Sequence, residues 1–146
     1  MKLLKSCALI LTATVLLSAP SHARRQRIGT ACYSVDAKRG WQYLQLSNTY
    51  SRVVSIRGEW TADVLNFGRV GPGGHTDIIE EDYSGFKYDA TVPLGALLIG
   101  APGSPYSWLN EPQTLSQPIS NVAMRINDDD LALEDNFGSL QVCFSN

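Results

Sequence analysis

The sequence lacks several features that common classes of protein require. Among its 146 residues are only two histidines and three cysteines. It contains neither a Gly-x-Ser-x-Gly elbow nor a glycine loop that ends in Gly-Lys-Ser/Thr. Internal repeats, low-complexity segments and the apolar stripe of an amphipathic helix are also missing. These absences argue against a serine hydrolase, a phosphate-loop protein and a helical domain.

Excess positive charge is missing as well. The chain has 12 Lys and Arg against 14 Asp and Glu, a formal net charge of −2. Three of the basic residues stand together in Arg24-Arg25-Gln26-Arg27, which reads as a solvated N-terminus. Nucleic acid and anionic membrane are therefore poor partners for the rest of the chain, because both require a basic surface.

The first 23 residues have the pattern of a secretory signal peptide. Two early lysines precede an apolar run from Cys7 to Ala19, and Ser21-His22-Ala23 supplies the small residues of a cleavage site. The run is too short for a comfortable membrane anchor, which is the alternative. We expect a single domain over 24–146, secreted or periplasmic and not inserted in a membrane. Its net charge is −4, since cleavage removes two of the 12 basic residues and leaves 10 against 14 acidic ones.

Cleavage also removes Cys7 and leaves Cys32 and Cys143. In an oxidising compartment this even remainder predicts a disulfide, with two unpaired buried thiols as the alternative. Closing so long a loop would stabilise the fold by about 4–5 kcal/mol. The pairing also makes the first and last strands neighbours.

Alternation of apolar and polar residues predicts short strands. The segments are separated by glycine and proline signals such as Gly71-Pro-Gly-Gly74 and Pro102-Gly103. Strands of this kind in a single small domain predict an all-β fold, an antiparallel β-sandwich or jelly roll. The predicted strands are 42–46, 54–60, 96–99, 122–126 and 140–144, with Cys143 facing away from Leu140, Val142 and Phe144.

Two connections carry the candidate chemistry. The long connection 61–92 has little strand pattern but contains Tyr83, Phe86 and Tyr88, which argue against disorder and predict part of a binding surface. The connection from Ile126 to Leu140 is crowded with hard oxygen ligands, which suit calcium; a solvated acidic turn is the alternative, and the spacing does not fit an EF-hand. Its acidic and amide residues are Asn127, Asp128, Asp129, Asp130, Glu134, Asp135 and Asn136.

Catalytic groups are scarce. His75 is the only histidine left after cleavage, and oxidised thiols cannot act as nucleophiles. Glu80-Glu81-Asp82 offers a carboxylate pair for glycoside hydrolysis, although adjacent acidic residues in a loop are more often solvated. We expect a binding protein and no enzyme.

Four short segments form a recognisable series along the chain. They are Gly58-Glu-Trp60, Gly71-Pro-Gly-Gly-His75, Gly95-Ala-Leu-Leu98 and Asn127-Asp128 through Asp135-Asn136-Phe-Gly138-Ser139-Leu140. In this order, over roughly residues 53–144, they resemble the PA-I-type bacterial galactose-binding lectins. The last segment is the specific one, and each of the others is a weak signal when taken singly. Asp135 stands where that family usually has Asn, Val70 replaces a tryptophan, and His75 lacks the following Pro and Gln.

The resemblance implies a jelly roll with one calcium ion that two sugar hydroxyls bind directly. It implies metal binding by the side chains of Asp128, Asp135 and Asn136 and by the backbone carbonyls of Asp63 and Ala132. It implies carbohydrate binding by His75, Asp128, Asp129 and Asp135. The function that follows is a calcium-dependent, galactoside-type carbohydrate-binding module, and an oligomer is possible. The alternative is a secreted structural or protein-interaction β-sandwich with a calcium-stabilised loop and no sugar.

Overall fold

The computed structural model describes residues 29–77 and 83–146, and the regular secondary structure of this part of the chain is almost all β-strand. Two single 3-10 turns, Ser84–Phe86 and Leu133–Asp135, are its helical elements. The predicted all-β fold class is confirmed. The strands are β1 (Ala31–Asp36), β2 (Gln42–Thr61), β3 (Leu97–Gly100), β4 (Tyr106–Trp108), β5 (Thr114–Ile126) and β6 (Phe137–Ser145).

The strands form an antiparallel arrangement in the order β1-β6-β2-β5-β3-β4. Strand β2 joins the pair β1-β6 to the group β5-β3-β4, because its first half pairs with β5 and its second half pairs with β6. Strands from both sides of β2 bury apolar side chains in a shared main core, which is the packing of a β-sandwich. Burying each of the larger core side chains contributes about 1.5–3 kcal/mol.

Strand β2 is longer than the sequence pattern predicts. The two predicted segments, 42–46 and 54–60, belong to one continuous strand, because no glycine or proline interrupts residues 47–53. A register shift between Val53 and Ser55 also changes which side chains face inward. Val53 is buried in the core and Val54 is not, so the simple alternation beginning at Val54 is wrong at this point.

The predicted disulfide is confirmed. Cys32 of β1 and Cys143 of β6 stand directly opposite each other and are bonded. Within the described residues, β1 is an edge strand that pairs with β6 and with no other strand. The disulfide therefore ties the start of the described chain to its last strand.

Trp60 links the end of β2 to the segment before β3. Its ring is fully buried, and its indole N–H donates a hydrogen bond of 2.7 Å to the carbonyl of Gly95. Trp60 also pairs with Val70 through an isolated β-bridge. These contacts fix where the chain leaves β2 and enters the long connection 61–92.

Gly138 offers a test of this packing. It has a φ of +98°, and an added Cβ would collide with the backbone of Glu59 and Trp60 on the neighbouring strand. We expect Gly138→Ala to lower the free energy of unfolding by about 2–3 kcal/mol, the upper part of the range for backbone strain. Urea unfolding measures this, with the exposed Ser139→Ala as control; equal stability of the two variants would contradict the strained geometry.

None of the described residues forms a helix long and apolar enough to span a membrane. The predicted signal peptide, residues 1–23, and the acidic triplet Glu80-Glu81-Asp82 lie outside the described residues.

Candidate functional site

A cavity of about 310 Å³ lies between the connection that follows β2 and the connection from β5 to β6. Both of the connections that the sequence predicted to carry the chemistry contribute to it. Its lining residues are Ala62, Asp63, Asn66, Phe67, Tyr83, Phe86, Leu94, Asp128, Ala132 and Asp135.

Four of the five predicted metal ligands therefore line one cavity: Asp63, Asp128, Ala132 and Asp135. The fifth, Asn136, is buried next to it, beside the carboxylate of Asp128. Residues 63 and 135 are further joined by the Val64 N–H, which donates to the carbonyl of Asp135 at 3.0 Å. The fold thus brings together residues that are about seventy positions apart in the sequence.

Asp128 is the most constrained acidic residue of the site. It is 1% exposed, and its Oδ1 accepts a hydrogen bond of 3.0 Å from the N–H of Asp129. Its Oδ2 is buried without a well-formed hydrogen bond from any described residue. Burial raises the pKa of this carboxyl to about 6; the Asn136 amide and the Asp129 N–H favour the charged form less strongly.

Asn136 presents a second unused oxygen. Its Nδ2 donates a hydrogen bond of 3.0 Å to the carbonyl of Ala37. Its Oδ1 is buried and has no partner within residues 29–77 and 83–146. Buried acceptors without a donor are uncommon because they cost about 1–3 kcal/mol each. Two of them lie close together at one cavity, where ordered water or a bound cation is the kind of species that satisfies such oxygens.

Asp63 is already engaged within its own loop. Its carboxylate accepts hydrogen bonds from the N–H groups of Leu65 and Asn66 and from the Asn66 side chain, and the last of these chiefly lowers its pKa. Its backbone carbonyl accepts from the Thr61 hydroxyl at 3.1 Å and from the Phe67 N–H at 3.0 Å. A metal at this carbonyl would have to share or replace those donors.

Asp129 and His75 do not line the cavity. The Asp129 carboxylate caps its own turn, accepting from the Leu131 N–H at 2.8 Å. His75 is 5% exposed, and its ring centroid lies 5.0 Å from that of Phe67, which does line the cavity. Burial lowers the pKa of His75, with a smaller opposing effect from Asp77. Their predicted sugar contacts stay predictions.

Asn127 has a structural role in place of an open ligand position. Its Oδ1 accepts from the Asp89 N–H at 2.8 Å, and its Nδ2 donates to the carbonyls of Asp89, Val92 and Pro93. The side chain therefore fixes the end of connection 61–92 against the connection from Ile126 to Leu140, which we call the acidic segment. Its amide oxygen, counted among hard ligands from the sequence, is used for this purpose.

Sequence reasoning missed Arg125. Alternation with Met124 placed it on the outer side of β5, but it is fully buried. Its guanidinium donates to the Asp128 carbonyl at 2.6 Å and forms an ion pair of 2.9 Å with Asp130. A protein cation therefore compensates part of the negative charge of the acidic segment. An arginine directly before an acidic run was the available signal.

The predicted metal ligands are all oxygen donors. The described residues contain no group of three or more His, Cys, Asp or Glu side chains placed to hold a metal ion. The predicted set consists of two carboxylates, one amide and backbone carbonyls, a mixture of oxygen donors that calcium accepts. No basic side chain lines the cavity within the part of the chain that is described.

Comparison with known proteins supports the fold. A similar solved structure is the N-terminal domain of EclA, described as a PllA-like lectin, with a TM-score of 0.50 and 16% sequence identity. The match covers 79% of this chain and 95% of that chain. At this identity the likeness shows a lectin-like β fold and no more. No sequence family matches the chain, and no curated protein sequence matches it significantly.

Asp128 gives the cavity a defined pH dependence. Its pKa in the folded chain is about 6, above the ordinary 3.8. The ionised form therefore destabilises the metal-free protein above pH 6, by on the order of 3 kcal/mol, and this penalty disappears as the pH falls towards 4.

We therefore expect Asp128→Asn to be more stable than wild type in EDTA at pH 7.5, with a difference that shrinks by pH 5. Urea unfolding at several pH values measures it. Since other carboxyls also titrate, the difference between the two proteins is the relevant quantity. A difference that does not change between pH 7.5 and pH 5 would contradict the raised pKa.

Proposed function

We propose that the protein is a secreted, calcium-dependent carbohydrate-binding module of the galactoside type, without catalytic turnover. The observation that carries the proposal is a pair of buried oxygens, Asp128 Oδ2 and Asn136 Oδ1, that have no well-formed hydrogen bond among the described residues and lie at a cavity bordered by the acidic segment. The lectin-like fold of a similar solved structure supports the same class of function.

Calcium fits the residues present. The side chains of Asp128, Asp135 and Asn136 would hold the ion, with the carbonyls of Ala132 and Asp63 completing the protein ligands. Burial raises the pKa of Asp128, and a nearby cation would stabilise its charged form. Of the two carbonyls, that of Asp63 needs the larger adjustment, because it already accepts two hydrogen bonds.

A sugar fits beside the cation for chemical reasons. When bound, calcium supplies coordination positions that neutral hydroxyl groups occupy in place of water. The chain's own contribution is to orient the sugar: carboxylates of Asp128 and Asp135 accept hydrogen bonds from hydroxyls, and Phe67, Tyr83 and Phe86 provide apolar walls.

Secretion is part of the proposal. The N-terminal pattern of residues 1–23 is that of a signal peptide. The Cys32–Cys143 disulfide supports an oxidising compartment, since such bonds persist mainly outside the cytosol.

A second candidate function is a protein-interaction module that uses the same calcium-stabilised loop and binds no sugar. It is favoured by apolar side chains that are left in solvent next to lining residues of the cavity. Leu65 is 86% exposed and Leu131 is 96% exposed. Exposed apolar groups of this kind can contact a partner surface.

Calorimetric titration separates the two. We expect calcium to bind the purified protein, and methyl galactoside to bind only the calcium-loaded form. Asp135→Ala should weaken calcium binding by about tenfold or more, because Asp135 lines the cavity and is not needed for the core. Glu111→Ala, an exposed carboxylate in another loop, is the charge-matched control. Calcium binding without binding of any sugar would favour the interaction module.

A further inference from the structure

The cavity lined by Asp63, Asp128 and Asp135 is here called the acidic cavity. A second concave surface lies apart from it and shares no lining residue with it. We call it the aromatic groove. It has a volume of about 170 Å³, below the roughly 300–1,000 Å³ of pockets that enclose drug-sized ligands. It is lined by Trp41, Tyr43, Tyr88, Gly100, Ala101, Pro102, Gly103, Ser104, Tyr106 and Ala123.

Three of its aromatic rings are in mutual contact. The ring centroids of Trp41 lie 5.8 Å from Tyr88 and 5.4 Å from Tyr106, and those of the two tyrosines are 5.7 Å apart. Tyr43 is 67% exposed. Aromatic surface held at a concave place and left in solvent is a feature of binding sites, since burying it in the core would stabilise the fold more.

The rings are held by the protein from behind. The guanidinium carbon of Arg125 lies 4.0 Å from the Tyr88 ring centroid and 5.8 Å from that of Trp41. This arginine is itself fixed by its bonds to the carbonyls of Ile126 and Asp128. Rings that are ordered before a ligand arrives lose little conformational entropy when it binds.

The lining defines the chemistry of the ligand. Every residue that lines the groove is uncharged, so neither an anion nor a cation finds a counter-charge on its walls. A cage of aromatic rings can also bind ammonium groups, but here the Arg125 guanidinium already occupies one face of Tyr88 and no carboxylate of the described residues lines the groove. The groove therefore suits a neutral molecule with one apolar face. The Tyr106 hydroxyl already donates to the Asp89 carboxylate. The hydroxyl groups of Tyr43, Tyr88 and Ser104 offer donors and acceptors for the polar edge of the ligand.

We propose that the aromatic groove is a second carbohydrate-binding site, which takes one neutral sugar ring by stacking and requires no metal ion. A sugar ring combines an apolar C–H face with a rim of hydroxyls, which matches the rings and the hydroxyl groups of this lining. The inference rests on the proposed function for the chemical class of the ligand. Its location and its independence of calcium rest on the groove itself.

The experiment measures binding of neutral glycans on an array by protein expressed from the full chain, in EDTA. We expect a subset of glycans to be retained. Tyr43→Ala should weaken their binding by about three- to tenfold, the range expected for one lost aromatic contact. Trp41→Ala should weaken binding at least as much. Tyr43 is the second position tested because its ring is exposed and does not belong to the main hydrophobic core. Arg57→Ala, at an exposed position of the same strand β2, should leave binding unchanged.

Two results would overturn the inference: no glycan retained in EDTA, or retained glycans that Tyr43→Ala binds as well as wild type does. Asp135→Ala distinguishes the two sites. If it abolishes the EDTA-resistant signal as well, the groove is not the site. If calcium-dependent binding is absent while the EDTA-resistant signal still falls in Tyr43→Ala, the proposed function fails and the groove stands.

Discussion

Removing the Cys32–Cys143 disulfide is expected to lower the free energy of unfolding by about 4–5 kcal/mol. The bond joins residues 111 positions apart, and a cross-link that closes a loop of this length restricts the unfolded chain strongly. A change of this size corresponds to a fall in melting temperature on the order of 10–20 °C. Strand β1 should be affected most, because it is an edge strand that pairs with β6 alone.

Urea unfolding of the double variant Cys32→Ala/Cys143→Ala, compared with wild type, measures this effect. A reducing agent should bring wild type towards the variant and leave the variant unchanged. Ser34→Ala, at an exposed position of β1, controls for general disturbance of the strand. A loss of less than about 1 kcal/mol would show that the loop-closure argument does not apply to this chain.

Calcium is expected to raise the melting temperature of wild type by on the order of 10 °C or more. A ligand present at about 1,000 times its dissociation constant stabilises the folded state by about 4 kcal/mol. The structural reason is that the ion would satisfy Asp128 Oδ2 and Asn136 Oδ1, which lack partners among the described residues. Thermal unfolding in calcium and in EDTA measures the shift.

Asp128→Asn makes this test specific. The variant should lose most of the calcium shift, because the amide is neutral and coordinates calcium less strongly. In EDTA at pH 7.5 the same variant should be more stable than wild type, since the raised pKa of Asp128 reflects a penalty for its charge. A substitution that merely damages the fold would lower stability in both conditions. An unchanged calcium shift in the variant would exclude Asp128 as a ligand.

Much of the fold could be predicted from the sequence. The alternation of apolar and polar residues is a local signal, and two remaining cysteines can form only one pair. The strands around residues 122–126 and 140–144 and the opposition of Cys32 and Cys143 are examples. Strands β1 and β4 were not predicted. Strand β4 has only three residues, all exposed, so no apolar alternation marks it.

Less of the candidate site could be predicted from the residues alone. The acidic segment was visible, yet the partners of its side chains depend on tertiary contacts. Asn127 looks like a ligand in the sequence and instead fixes the backbone around Asp89 and Val92. Arg125 stands at a polar position in the alternation of strand β5. Only the fold shows that its side chain is directed towards the acidic segment and forms an ion pair with Asp130.

The long connection 61–92 contributes residues to both concave surfaces, and its predicted role in binding stays a prediction. It contributes Asp63, Phe67 and Phe86 to the acidic cavity. It also places Tyr88 in the aromatic groove, where Arg125 contacts it from behind. Arg125 therefore lies between the two candidate sites, bonded to the Asp128 carbonyl on one side.

A glycan array probed with and without calcium tests the central claim of calcium-dependent carbohydrate binding most directly. We predict a set of glycans, galactosides among them, that wild type binds in calcium and releases in EDTA. Asp135→Ala should fail to bind this set, while Glu111→Ala should bind it normally. If no glycan on the array responds to calcium, or if Asp135→Ala keeps the calcium-dependent set, the acidic cavity is not a carbohydrate-binding site.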